Sequence, residues 1–75
     1  MGMQNKQEFL ELIGAKVRDT RNRKGLSIEK LALESGLSYS QIIRIEKGKI
    51  NTSIYQLYII SNTLDVEIYN FFGEF

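Results

Sequence analysis

Between Ser35 and Lys49 the chain reads SGLSYSQIIRIEKGK, and most of its polar side chains are suited to binding. Arg44, Lys47 and Lys49 are cations, Ser38, Tyr39 and Ser40 carry hydroxyls, and Gly36 and Gly48 frame the stretch. A guanidinium presents five N–H donors in a flat fork, so it can bond two acceptors at once. The chemistry this set offers is charge-assisted and hydrogen-bonded recognition. Catalysis is poorly supplied. The 75 residues include no His and no Cys, which removes the commonest general base, the commonest metal ligand and the thiolate nucleophile together. Ser, Lys and Tyr remain, none with an activating neighbour, and there is no paired-carboxylate constellation. Neither an enzyme, a cofactor, a metal site nor a disulfide framework is expected.

The elements that must position these side chains are short helices. The chain has no proline and no repeat, and strand-like alternation is missing. Gly and Ser/Thr/Asn punctuate it. A first helix is predicted over about 7–24, with Phe9, Ile13 and Val17 recurring every fourth residue on one face. The next member of that row is Arg21, a charge where core is expected. Gly25 reads as the left-handed residue that ends this helix. Ser27 caps a second helix over 28–35 with Leu31 and Ile28 inward. Gly36 ends it, and Ser38 caps a third over 39–47 with Ile42 and Ile45 inward. After Gly48, one of Asn51, Thr52 or Ser53 caps a fourth over about 54–64, and a short fifth covers about 66–72. The fold class is all-α with four to five helices in one domain, residues 1–6 being flexible.

Length and charge narrow the function classes. Seventy-five residues bury only about two-thirds of their unfolded surface, too little for a deep pocket and its scaffold. No apolar run approaches the roughly 18 residues a membrane span needs. Met1-Gly2 begins like a myristoylation signal, but Lys6 stands where that signal requires Ser or Thr. A cytoplasmic location follows, with no membrane partner. The net charge of +1 conceals an uneven spread. Residues 16–49 carry nine bases against four acids, residues 50–75 no base and three acids. A basic middle and an acidic end point to two faces with different partners.

The pair of short helices joined at ESGLS is the most specific feature. Counted from Ile28, Ala32 is fifth, Gly36 ninth, Ile42 fifteenth and Ile45 eighteenth. A small side chain suits the fifth place, where two helices cross closely. The ninth needs a positive φ, which glycine adopts without steric cost. The last two lie three apart on the face that packs against the preceding helix. This is the helix-turn-helix pattern, whose DNA-binding form lays its second helix in the major groove. With VRDTRNRKGLSIEKLALESGLSYSQIIRIEKGK and the later LYIISNTLDV, the chain resembles the phage repressor and Cro-like helix-turn-helix domains, which include restriction-modification controller proteins. The resemblance runs from Ile13 to Phe72.

It implies a lambda-repressor-like fold, double-stranded DNA as partner and roles for particular residues. Tyr39, Ser40 and Arg44 would read base edges, with Ile43 on the neighbouring rim; Arg44 suits guanine O6 and N7. Lys47, Lys49, Asn51 and Ser53 would hold phosphate in the loop that follows. Ser27 and Ser38 sit at helix N-termini, whose free amides favour an anion, and Arg18 and Lys24 are further phosphate candidates. The resemblance also pairs Arg21 with Glu46 as a structural ion pair. Two positions depart from the pattern. Ile28 stands where relatives often carry a polar side chain that touches phosphate, and Thr52 where many have proline.

The last third is acidic and aromatic. Leu57, Ile60, Ser61 and Leu64 should be buried, and Phe71 or Phe72 should close the core. That leaves Tyr55, Tyr58, Ile59, Val66, Ile68, Tyr69 and Phe75 as more apolar surface than so small a core can cover. The expected use is a homodimer that sets two recognition helices against a near-palindromic operator, as a transcriptional regulator. The competing expectation is an antitoxin or adaptor module whose main partner is another protein, bound through this aromatic end.

Overall fold

Each of the four α-helices starts on a side chain that accepts one of its free amides. The computed structural model describes residues 5–73. Asn5 accepts from the Glu8 amide at 2.8 Å at the head of α1, Lys6–Arg23. Ser27 accepts from Lys30 at 3.0 Å for α2, Ile28–Ser35. Ser38 accepts from Gln41 at 3.1 Å for α3, Tyr39–Glu46, and Ser53 from Gln56 at 3.1 Å for α4, Ile54–Thr63. Such caps are worth about 0.5–2 kcal/mol each. A 3-10 turn, Ile68–Phe71, closes the chain. No strand occurs among the described residues, so the fold is all-α. Asn5 is the cap and Lys6 the first residue of α1; residues 1–4 lie outside the described residues.

The ends are as regular as the starts. After α3, Gly48 takes φ 69°, its N–H reaches the Ile45 carbonyl at 3.1 Å, and the Lys49 N–H reaches that of Arg44 at 2.8 Å. The same pair of bonds follows α1 and α4. In α4 the left-handed residue is Asp65, φ 59°, a short polar side chain that tolerates this conformation better than most. Gly36, φ 80°, reverses the chain between α2 and α3. Among the described residues no helix is long and apolar enough to cross a membrane.

The core gathers Ile13 and Val17 from α1, Leu31 from α2, Ile42 and Ile45 from α3, Leu57 and Ile60 from α4, then Leu64 and Phe71. α1 packs on α3 and on the 3-10 turn, and α2 on α3 and α4. Phe71, fully buried, closes the core, while Phe72 stays at the surface. Two expectations change. Phe9 is 38% exposed, although it shares the row of Ile13 and Val17. Val66 and Ile68 are half-buried and pack on the core, so they are less available to a partner than the composition implied.

Candidate nucleic-acid interface

α3 is held by its apolar face. Ile42 and Ile45 are 0% and 2% exposed, which turns Tyr39, Ser40 and Arg44 outward, all three exposed. Ile43 is half-buried at the edge of this face. The following loop projects Lys47, Lys49, Asn51 and Ser53, each exposed. The Thr52 hydroxyl donates to Gln56 Oε1 at 2.6 Å, beside the Ser53 cap. The oxygens of Ser27 and Ser38 are already taken as cap acceptors, and Ser38 Oγ lies 3.4 Å from Ser40 Oγ.

Arg21, 8% exposed, explains the charge in the core row of α1. Its Nε donates to Glu46 Oε2 at 2.7 Å and its Nη2 to Oε1 at 3.1 Å, a two-pronged contact. Its Nη1 donates to the Leu26 carbonyl at 2.9 Å. The hydrogen bond to Glu46 raises the pKa of Arg21, burial opposes this, and the carboxylate charge adds to the rise. The pair ties the last residue of α3 to α1 and to the turn before α2.

Backbone contact fastens the same end of α3. A Cβ at Gly14 would stand 2.5 Å from the Glu46 carbonyl oxygen and closer still to that of Ile45. A Cβ at Gly48 would stand 2.8 Å from Glu11 Cα. Gln7 Nε2 donates to the Gly48 carbonyl at 3.1 Å. None of Gln7, Glu11 and Gly14 was singled out from the sequence. One signal was present: glycine inside an amphipathic helix costs about 1 kcal/mol, which asks for a packing reason.

The remaining charges fall into two groups. Lys30 pairs with Glu34 at 3.3 Å on the outside of α2. Among the described residues Arg18, Lys24, Arg44, Lys47 and Lys49 form no ion pair. Arg18 and Lys47 line one hollow with Ile28, Ile43, Arg21 and Glu46, so Arg18 lies on the α3 side. Lys24 is not brought together with them. It lines a separate hollow with Thr20, Arg23, Val66 and Asn70. Among the described residues no cluster of His, Cys, Asp or Glu could hold a metal ion.

On the apolar side, Ile54, Tyr55, Tyr58 and Tyr69 are exposed and Ile59 is half-buried. The rings of Tyr55 and Tyr58 stack with centroids 6.4 Å apart. Tyr58 also borders a hollow shared with Asp65, Val66, Glu67 and Ile68. Phe75 lies outside the described residues.

Comparison with known proteins agrees with this arrangement. SlrR, an HTH-type transcriptional regulator of Bacillus subtilis, is 45% identical over 62 residues, which are 81% of this chain; the chain spans 41% of its length. The restriction-modification controller protein C.AhdI from Aeromonas hydrophila superposes with a TM-score of 0.80 at 35% identity, over 83% of this chain and 94% of that one. The biofilm regulator SinR, solved in complex with DNA, superposes with a TM-score of 0.77 at 32% identity, over 81% of this chain and 98% of that one. The helix-turn-helix family model HTH_3 matches residues 17–71, from the middle of α1 to the residue that closes the core. The match takes in the helix anchored by Ile42 and Ile45 and the turn at Gly36, and the chain belongs to the Cro/C1-type helix-turn-helix family.

Proposed function

We propose that the chain is a sequence-specific DNA-binding transcriptional regulator, acting in the cytoplasm, with α3 in the major groove. The observation that carries this is the exposed row Tyr39, Ser40 and Arg44 on a helix whose other face is locked, flanked by Arg18, Lys47 and Lys49, cations without an ion pair among the described residues. Arg44 would bond guanine with its guanidinium fork. Lys47, Lys49, Asn51, Ser53, Ser27, Ser38 and Arg18 would hold backbone phosphates, which position the protein and carry no sequence information. Lys24 is the weakest member of that group, because it lines a different hollow.

The test separates readers from holders. Arg44→Ala is expected to change the base preferred at one position, at about 1–3 kcal/mol of discrimination. Lys47→Ala is expected to weaken all duplexes alike and to lower the slope of log affinity against log salt by about 1. Fluorescence anisotropy on matched and mismatched duplexes at several salt concentrations reads both. The opposite pattern would reverse the role assignment.

The regulator is a homodimer through the α4 aromatic face, in this reading. Ile54, Tyr55 and Tyr58 of α4, with Tyr69 of the 3-10 turn, supply the apolar area, and no base occurs after Lys49. A two-fold pair sets two recognition helices about 34 Å apart, matching half-sites one turn apart in a near-palindromic operator. Sedimentation at tens of micromolar is expected to give the dimer mass, and a clean monomer would remove this part. A second reading, an antitoxin or adaptor bound to another protein, is favoured by the same exposed tyrosines. Salt-sensitive binding of duplex DNA by the isolated chain decides for the first.

A further inference from the structure

Beside α3, toward α1 and the start of α2, is an open hollow of about 230 Å³ lined by Arg18, Arg21, Ile28, Ile43, Glu46 and Lys47. Its polar floor is already engaged. Arg21 uses Nε, Nη1 and Nη2 within the protein, and both Glu46 oxygens accept from it. Its walls are the half-buried side chains of Ile28 and Ile43, the former packed on the core. Its rim carries Arg18 and Lys47, exposed cations without an ion pair among the described residues.

We infer that this hollow receives the 5-methyl group of one thymine, with Ile28 and Ile43 as its walls and Arg18 and Lys47 on the adjoining phosphates. The inference rests on the DNA-binding reading above. The thymine methyl is the one alkyl group that a base pair presents in the major groove, and it lies beside the phosphates of its own strand. The hollow joins those two demands, an apolar wall and a cationic rim. A polar base edge set against the side chains of Ile28 and Ile43 would lose water there and gain no partner from them. The hollow is larger than a methyl group, and Arg18 and Lys47 in its lining are the cations for the phosphate of the same nucleotide. Ile43 is thus a specificity-determining residue that reads by contact, alongside Arg44, which reads by hydrogen bonds. Ile28 is a positioning residue that supports it.

The experiment starts from a duplex selected from a random library by the intact chain. Each thymine of a half-site is then replaced singly by deoxyuridine, which lacks only the methyl. Burial of one methyl corresponds to about 4-fold in affinity. The inference expects one thymine per half-site to show a loss of about that size in the wild-type chain. In Ile43→Ala, and in the milder Ile43→Val and Ile28→Ala, the thymine and deoxyuridine duplexes should bind more nearly alike. The wild-type scan stands even if a variant fails to fold. Deoxyuridine tolerated at every position overturns the inference, as does a selected half-site without thymine, or a loss of equal size in all folded variants. Failure to select any duplex removes the DNA-binding reading itself, a different result from selection without methyl sensitivity.

Discussion

Arg21→Met is expected to lower the unfolding free energy by about 3–5 kcal/mol, because it leaves Glu46 charged and 5% exposed without its partner. A 75-residue domain has only about 4–11 kcal/mol in total. At about 4–8 °C per kcal/mol for this size, the melting temperature falls by at least about 12 °C. Arg23→Met is the control. Arg23 is exposed, its hydrogen bond is a 3.3 Å contact with Thr20 Oγ1, and its loss should stay within about 0.5 kcal/mol. Removing both charges together, as Arg21→Met with Glu46→Leu, should recover much of the loss, since a stranded charge costs more than an absent pair. Thermal melts followed by circular dichroism read all four proteins. Equal melting temperatures for the two single variants would show that the pair contributes nothing. The pH dependence has a definite sign. Glu46 raises the pKa of Arg21 above its ordinary, already strongly basic value. Stability from a raised pKa is complete below the unfolded value and lost only above it. Between pH 6 and 9 the Arg21 contribution is therefore constant.

The second large effect is at Gly14, and helix propensity gets its direction wrong. Alanine in a helix interior is favoured over glycine by about 1 kcal/mol. Here the added methyl would stand 2.5 Å from the Glu46 carbonyl oxygen and 2.7 Å from its carbon, and closer to the Ile45 carbonyl oxygen. These are backbone atoms of the last turn of α3, and no side-chain rotation relieves the overlap. α1 and α3 must move apart, which loosens Ile13, Ile45 and the Arg21–Glu46 contact together. Gly14→Ala is expected to destabilise by about 3 kcal/mol, at the upper end of overpacking effects. It should also weaken DNA binding, because the loop of Lys47 and Lys49 hangs from the displaced end. Denaturant unfolding checks the first and anisotropy the second. A variant as stable as wild type would refute this account of the α1–α3 contact.

Both predictions concern how α3 is held, and that is where sequence and tertiary structure divide. The local signals were sufficient for the elements. Ser27 and Ser38 cap, Gly25, Gly36 and Gly48 end, and the spacing of Ile42 and Ile45 turns the outer face of α3 to solvent, while of Asn51, Thr52 and Ser53 it is Ser53 that caps α4. These depend on side-chain oxygens and φ angles within a few residues, so a linear reading reaches them. Hence the all-α class, the helix-turn-helix and the row Tyr39, Ser40 and Arg44 were legible. What the chain brings together over long separations was not. The Gln7 bond to Gly48 and the fit of Gly14 against α3 depend on the distance between two helix axes, which no periodicity encodes. The same holds for Phe9, apolar and in register but outside the buried cluster, and for Val66 and Ile68, acidic-end residues drawn onto it. The hollow between Ile28 and Ile43 also exists only because α1, α2 and α3 meet there. The sequence by itself determined which helices form and which face of α3 is free. The tertiary structure decided how firmly that face is held and what surrounds it, because packing distances are a property of the whole core and not of any one segment.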